Sequence, residues 1–560
     1  MKLFDRKKKD EEKKYRTPAL AFTAVTLIVM FVAAAVPLPA QTVNTLFNFE
    51  SNSNNTQPTN PQGNMAQGRD GLFYGISSSG NGCCQGVFYK IDSTGVLTAL
   101  ASMTDVEGTN CNGLVLATDG NFYGSCYSDP TNNGTLIKLT PTGTITVMHT
   151  FLGTTADGCH PLAPPIQATD GNLYGTTGFC GANGYGTVYK MSPTGTYTQL
   201  HSFQGPPNDT AEPLGLVQGT DGNLWGMGNG WIISDGAVFK ISAAGAESLV
   251  YTFKGGTTDG ANPYTNLIQG SDGNYYGTTE YGGADSYGTI FKLTPAGVET
   301  VLYNFPNQTD GAYPRLPLTQ GLDGLLYGMA TDCPGGGCGP AGLFDITTKG
   351  VYKNLYIYPL GPSNSIQPFA PLLLSTNGTL YSTTYQGGVA SSGTFYSVST
   401  NYSPFISLVN VRNGKEGSQV GILGQGFSAA SVVKFGGTAA TTAKVAGKAF
   451  ILATVPAGAL TGKVTVTTGS TTLSTVSIYR VTPTIASFTP PSGPVGTSVT
   501  ITGTGLAQAT KVAFNGVAAS FTVNSDTMIT ASVPAGATTG KISVTTPGGS
   551  ALSAQSFTVN

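Results

Sequence analysis

The stretch "DGNLYGTTGFCGANGYGTVYK", from Asp170 to Lys190, decides the fold, because the chain repeats it as "DGNYYGTTEYGGADSYGTIFK" from Asp272 to Lys292. Six-residue versions of its opening occur seven times along the chain. They begin at residues 70, 119, 170, 221, 272, 323 and 377, so the spacing is 49 to 54 residues. A period near 50 residues is typical of one β-propeller blade.

Each repeat divides into four segments with strand character. An apolar segment ends in an Asp-Gly or Asn-Gly turn, which favours a tight connection between antiparallel strands. The second segment carries an aromatic residue, the third alternates as in "GTVYKMS", and the fourth resembles "TYTQLHSF". We name the four segments strands a to d, from the inside of the blade outwards.

The segments that match strand d are shifted by one relative to the repeats. Seven segments match strand d, but the first one, at residues 45–49, precedes the first repeat, and the last repeat has none of its own. Pairing residues 42–49 with the last blade would close the ring and remove the open sheet edges. The sequence therefore predicts an all-β, seven-bladed β-propeller over residues 41–402, closed by an N-terminal strand; a linear β-solenoid is the alternative.

The last third of the chain contains a different repeat. "VPAGALTGKVTV" from Val455 returns as "VPAGATTGKISV" from Val533, within two copies of roughly 79 residues. Short alternating strands separated by Gly and Pro turns predict two immunoglobulin-like β-sandwiches, over residues 403–480 and 481–560.

The propeller repeat resembles the GloVer-type tandem repeat of exported, choice-of-anchor bacterial proteins, whose unit reads approximately DGNLYGTT, GG and GTVFKLTP. The second sandwich resembles an IPT/TIG domain in its opening "PTIASFTPPSGPVGTSVTITGTGL" and in Phe514–Gly516, and the first sandwich is a diverged relative. These resemblances imply an exported location and name no activity. "DGNLW" at Asp221 also resembles the repeats of streptogramin lyases, which need a metal-assisted His/Glu site.

The N-terminus predicts export. A charged segment precedes an apolar run from Ala19 to Val36, and "PLPAQ" offers a cleavage site before Gln41, so residues 1–40 are predicted to be a signal peptide. An uncleaved anchor is the alternative, since 18 apolar residues nearly span a bilayer. We expect a secreted, periplasmic or surface location. The remaining chain is mildly acidic, which argues against nucleic-acid binding and against further membrane contact.

Eight cysteines in an exported chain predict disulfides. The b–c loops and the d–a connections leave a propeller on one side, which we call the top face, and all eight cysteines fall in these segments. The natural local pairs are Cys111–Cys126, Cys159–Cys180 and Cys333–Cys338, which leaves Cys83 and Cys84 as a vicinal pair or two free thiols. The spacing supports no metal site and no cofactor.

Few residues are suited to catalysis. His149 and His201 share a repeat position with tyrosines, which predicts packing on the outer strand. His160 is the one histidine in a top-face loop, and Glu280 and Asp285 share the predicted loop "EYGGADSYG", where two carboxylates can act as acid and base on a sugar. These three are weak catalytic candidates, because no convincing partner set accompanies them.

Aromatic residues provide the better indication of function. Phe179, Trp231, Tyr281 and Tyr385 follow the strand-b aromatic by four to six positions, which predicts that they reach the top face. Aromatic rings beside Gly, Asn and Ser suit stacking on sugars or on a protein partner; packing between blades is the alternative. We therefore expect a non-catalytic protein that binds a glycan or a surface protein. A polysaccharide-active or lyase-like enzyme and a structural envelope protein are the alternatives.

Overall fold

A computed structural model describes residues 42–50, 57–80, 85–207, 209–230, 234–306, 311–330, 341–358, 368, 370–409 and 412–560. These residues form strands and turns and contain no α-helix. No helix among them is long and apolar enough to cross a membrane. The predicted signal peptide lies outside the described residues.

Between Thr42 and Tyr402 the described strands pair antiparallel in groups of four, joined a–b–c–d, and a parallel bridge between Asn64 and Gly113 merges the first two groups into one eight-stranded sheet. In chain order the strands are, sheet by sheet, Pro58–Gln67, Phe73–Gly80, Val87–Ile91 and Leu97–Ser102; Thr109–Leu116, Phe122–Ser128, Thr135–Leu139 and Ile145–Thr150; Ile166–Gln167, Leu173–Thr177, Thr187–Met191 and Tyr197–Ser202; Pro213–Gln218, Leu224–Gly228, Ala237–Ile241 and Glu247–Thr252; Ile268–Gln269, Tyr275–Gly282, Thr289–Leu293 and Glu299–Asn304; Thr319–Gln320, Leu326–Ala330, Gly342–Ile346 and Tyr352–Ile357; Leu373–Leu374, Leu380–Thr384 and Thr394–Val398, completed by Val43–Asn48. Two short strands in the connecting loops, Gly158–Cys159 and Phe179–Cys180, pair with each other. A third, Gly260–Pro263, pairs with the end of Tyr275–Gly282.

The N-terminal strand closes the ring as predicted. Val43–Asn48 pairs antiparallel with Thr394–Val398 and becomes strand d of the last sheet. The residue after each strand d is buried, and its N–H donates to a carbonyl before strand c; Phe49 makes this bond to Gly393 at 3.0 Å, as Phe253 does to Gly236. The propeller prediction is confirmed, the count of seven blades stays a prediction, and the linear solenoid does not fit these contacts.

The aspartate of the Asp-Gly motif stabilises the turn between strands a and b by accepting hydrogen bonds. In the third sheet the Asp170 carboxylate accepts the Asn172 N–H at 3.0 Å and the Tyr174 hydroxyl at 2.7 Å. Trp225 donates its indole N–H to Asp221 in the same way, at 3.3 Å. The repeated aromatic therefore fastens the turn and fills the space between neighbouring sheets, where Trp225 stacks on Tyr275 with centroids 4.2 Å apart.

A glutamine at the end of strand a bonds each of several sheets to the preceding one. Gln218 accepts the Thr169 N–H at 2.9 Å and donates to Gly222 O at 3.1 Å. Gln67 in the first sheet accepts the Thr376 N–H of the last sheet at 3.1 Å. The same bond thus spans the point where the ring closes.

Two β-sandwiches follow. The strands of the first are Ser407–Leu408, Gln419–Leu423, Phe450–Thr454 and Ala443–Ala446 in one sheet, Thr438–Ala439, Val432–Phe435, Val464–Thr468 and Thr471–Ser474 in the other, and the parallel pair Asn413–Gly414 and Arg480–Val481. Those of the second are Thr484–Thr489, Ser498–Thr504, Met528–Ser532 and Phe521–Ser525, against Ser492–Gly493, Gly549–Val559, Gly540–Thr546, Lys511–Phe514 and Val517–Ala519.

The first sandwich packs on the side of the propeller opposite the top face, which we call the turn face because it carries the a–b and c–d turns. The Arg69 guanidinium lies 4.1 Å from the centre of the Phe450 ring. The Phe405 N–H donates to Thr376 O at 3.0 Å, and Phe450 shares one apolar cluster with Leu116 of the second sheet.

We expect Phe49→Ala to lower the free energy of unfolding by about 3–5 kcal/mol, as for other fully buried phenylalanines. The residue is fully buried and its ring centre lies 5.5 Å from that of Tyr89, so truncation leaves a cavity at the closing strand. Denaturant unfolding of both chains measures the difference. Phe253→Ala, the equivalent position in an unbroken sheet, is the matched control: a full loss there with no loss at Phe49 would contradict ring closure.

Candidate functional site

The top face of the third sheet is held together by a disulfide. The d–a connection pairs with the b–c loop, with Gly158 opposite Cys180 and Cys159 opposite Phe179, and the two cysteines are bonded. Phe179 lies half-buried at this junction. The loop aromatic is therefore held in place by backbone pairing and by a covalent bond.

Two of the suggested cysteine pairs are bonded. The loop placement predicted for Cys111 and Cys126 is wrong, because they lie opposite each other on strands a and b of the second sheet, buried beside Met103. Cys159–Cys180 is the second bond. Cys83, Cys84, Cys333 and Cys338 lie outside the described residues, so the pair Cys333–Cys338 stays a prediction.

His160 packs between two aromatic rings. Its ring centre lies 4.4 Å from that of Tyr127 and 5.8 Å from that of Phe179. Desolvation lowers the pKa of His160, although a hydrogen bond with the Asn132 backbone and the charge of Asp129 oppose this shift. Its Nδ1 is buried and has no hydrogen-bond partner among the described residues. This environment suits an uncharged packing ring better than a general base, which needs an oriented partner.

The placement predicted for Glu280 is wrong. The residue lies on strand Tyr275–Gly282, whose end pairs with Gly260–Pro263. The Glu280 side chain is buried and forms an ion pair with Arg315, whereas Asp285 is exposed in the following turn. The two carboxylates thus occupy different environments, and one of them already has a cationic partner.

An aromatic group surrounds this ion pair. The Arg315 guanidinium lies 5.1 Å from the centre of the Tyr264 ring, and Tyr264 is 44% exposed. Tyr281 and Tyr313 meet edge to face with centres 5.5 Å apart. Because Glu280 orients the guanidinium, the group combines accessible ring surface with a positioned cation, although the sequence had indicated only Tyr281.

Of the other two aromatic candidates, the described residues include Tyr385 only. Tyr385 is half-buried on the last sheet, and its carbonyl accepts from the Asn60 amide of the first sheet at 2.9 Å. Trp231 lies outside the described residues, so its role stays a prediction.

Each of the two outer-strand histidines contacts a buried aspartate that was not among the predicted site residues. His149 and Asp157, and likewise His201 and Asp209, lie 3.0 Å apart between Nε2 and Oδ2. In the next sheet the Tyr251 hydroxyl donates to Asp259 at 2.8 Å. In all three sheets the aspartate follows the His or Tyr of strand d by eight residues, and this constant spacing is the feature of the sequence that could have predicted the pairs.

His201, Asp209 and Glu247 also bring three possible metal-binding atoms within 4.8 Å of one another. The equivalent residues of the following sheet are Tyr251, Asp259 and Glu299. Since tyrosine replaces histidine at this repeat position without loss of the hydrogen bond, the arrangement favours a structural role over metal binding.

This cluster predicts a pH-dependent stability. Burial, together with the charge of Asp209, raises the pKa of Glu247 to about 7, although the charge of His201 opposes this shift. Between the ordinary value of 4.5 and about 7, the folded chain therefore binds more protons than the unfolded chain, so the free energy of unfolding falls as pH rises.

Glu247→Gln removes this penalty, so we expect the variant to be more stable than the parent chain by on the order of 1 kcal/mol at about pH 8 and equally stable at about pH 4. Denaturant titrations across this range measure the difference. Asp285→Asn, which changes an exposed carboxylate, is the control. Parallel pH profiles for Glu247→Gln and the parent would contradict the burial of Glu247.

One cavity of about 450 Å³ lies between the inner strands of the propeller and the first sandwich. Inner-strand residues such as Gln167, Gln218 and Asn266 line its wall, and Arg412 and Arg480 of the sandwich line its end. No motif in the sequence marks these two arginines as site residues.

The model of the Gloeobacter/Verrucomicrobia repeat family matches residues 35–227 and 128–341, which together span more than half of the chain. The chain belongs to this family. The model of the IPT/TIG domain matches residues 483–559, so the second sandwich is a domain of that type. Both predicted resemblances are confirmed. No curated protein matches the chain.

Solved structures give distant similarities. Puromycin hydrolase is 9% identical, with 69% of this chain and 61% of the enzyme covered, at a TM-score of 0.41. SGBP-B from a xyloglucan utilization locus in Bacteroides uniformis is 20% identical, over 27% of this chain and 48% of that one, at 0.15. The surface glycan-binding protein PbSGBP-B from Prevotella bryantii is 19% identical, over 29% and 40%, at 0.21. This chain thus covers less than half of each glycan-binding protein, and similarities at this level define no shared function.

Proposed function

We propose that this chain is an exported, non-catalytic binding protein whose propeller recognises a carbohydrate through the top face. The observation that carries the proposal is the aromatic group around Arg315: Tyr264 is 44% exposed beside a guanidinium that Glu280 holds in place. Sugar rings stack on aromatic faces, and their hydroxyls accept hydrogen bonds from positioned donors.

The surroundings of this group support binding over catalysis. The Glu280 carboxylate, one of the two acid–base candidates, is buried and engaged by Arg315. A glycosidase needs two carboxyl groups that both reach the scissile bond. His160, the remaining candidate, packs between Tyr127 and Phe179.

The location follows from the chemistry of the same face. Disulfides persist in oxidising compartments such as the periplasm and the cell exterior. Two disulfides occur in the propeller, Cys111–Cys126 between strands a and b of the second sheet and Cys159–Cys180 across top-face loops of the third. We infer that the top face operates outside the cytoplasm, where polysaccharides are available as ligands.

The test is a binding assay of the purified full-length chain on a panel of plant and bacterial polysaccharides. Depletion of the chain from solution and release of reducing or unsaturated ends are recorded together. We expect depletion without product, and an affinity about fivefold lower for Tyr264→Ala and for Tyr281→Ala, since stacking contacts contribute about 1 kcal/mol each.

Val298→Ala is the matched control, because Val298 is 61% exposed in a c–d turn on the opposite side of the propeller. Unchanged affinity in both tyrosine variants, or an equal loss in the control, would sink the proposal. Product release would favour the enzyme alternative instead, and neither depletion nor product would favour the structural alternative.

A further inference from the structure

Two arginines of the first sandwich line the cavity at the centre of the propeller. Asn413–Gly414 pairs in parallel with Arg480–Val481, with Asn413 opposite Arg480, and the Arg480 N–H donates to Arg412 O at 2.9 Å. This small sheet therefore holds the two arginines side by side. Both line the cavity of about 450 Å³.

Neither guanidinium has an anionic partner within the described residues. The ion pairs there involve Lys138, His149, His201 and Arg315, and the cavity wall contains no aspartate or glutamate. Desolvation lowers the pKa of Arg412, and the positive charge of Arg480 lowers it further. Arginine nonetheless stays charged at neutral pH, so two adjacent positive charges face the cavity.

Water reaches Arg412 although protein surrounds it. The side chain is accessible to water-sized molecules, while its desolvation shows that protein atoms lie on most sides. Both features are expected of a side chain that projects into a partly open cavity. An oxyanion that entered this cavity would contact both guanidinium groups, and the reduced exposure to solvent would strengthen its attraction to them.

Asparagine side chains complete the lining. Asn64 and Asn266 of the propeller and Asn413 of the sandwich line the same cavity, and no hydrogen bond within the described residues engages their amides. An amide both donates and accepts, which matches the hydroxyl groups of a sugar. A cavity of this size is within the usual range for small-ligand sites and holds about one sugar ring.

We propose that this cavity binds a monosaccharide-sized ligand with one oxyanion group, which Arg412 and Arg480 neutralise while Asn64, Asn266 and Asn413 engage its hydroxyls. The site is distinct from the top face and does not depend on the function proposed for it. The oxyanion is either the carboxylate of a sugar acid or the phosphate of a sugar phosphate, since guanidinium groups recognise both.

The experiment measures calorimetric binding of galacturonate, glucose 6-phosphate and neutral galactose to the full-length chain. We expect one of the two acids to bind at least tenfold more tightly than galactose, and the acid that binds identifies the oxyanion. Sulfate is included at the same concentrations. Binding of neither acid, or equal binding of sulfate, would overturn the proposal.

The variants are Arg412→Gln and Arg480→Gln, each expected to weaken binding of the preferred acid at least tenfold. Lys415→Gln is the matched control, because Lys415 is an exposed cation of the same sandwich close to Arg412 in sequence. Unchanged affinity in both arginine variants, or an equal loss in the control, would refute the assignment. If a variant fails to fold, the comparison of acid with galactose in the parent chain still decides the matter.

Discussion

The pairing of Val43–Asn48 with Thr394–Val398 is the contact on which the rest of the propeller depends. Four-stranded sheets arranged as an open row would expose two edges and leave the outermost aromatic layers unpacked. By completing the last sheet, the N-terminal strand lets Phe73 of the first sheet pack on Tyr381 of the last, with ring centres 4.5 Å apart. The Gln67 amide then bonds the same two sheets. Bringing the two ends of the repeat region together lowers the entropy of the chain once. The contacts between neighbouring sheets, which recur around the whole ring, offset this loss.

A uniform scaffold concentrates function at its departures from the repeat. The Asp–Tyr turn bond and the glutamine bond recur from sheet to sheet and serve stability. The irregular features are different: a buried Glu280 with its Arg315 partner, and a disulfide across the third sheet's loops. Each of these modifies the top face and leaves the sheets unchanged. Loops positioned by a rigid scaffold are where binding residues usually occur.

The sequence predicted the fold well, because a period of about 50 residues and turn residues at fixed positions are local signals. It also predicted ring closure, since a misplaced strand d is visible by counting. It failed where contacts are made between repeats: the residue that neutralises Glu280 follows the next strand d, 35 positions later in the chain. Arg412 and Arg480 were missed for the same reason, because only the docked sandwich brings them to the cavity. The roles of Trp231 and of Cys333–Cys338 remain predictions from sequence.

The docked sandwich also bears on the proposed ligand of the arginine pair. Packing of Arg69 on Phe450 and of Leu116 in the shared apolar cluster already fastens the sandwich to the turn face. Two adjacent cations add little to that attachment, because their mutual repulsion and the desolvation of Arg412 oppose it. Their position at the cavity is therefore unfavourable for folding alone. A bound oxyanion converts the same arrangement into a favourable one, which is the physical reason to expect an acidic ligand in the cavity.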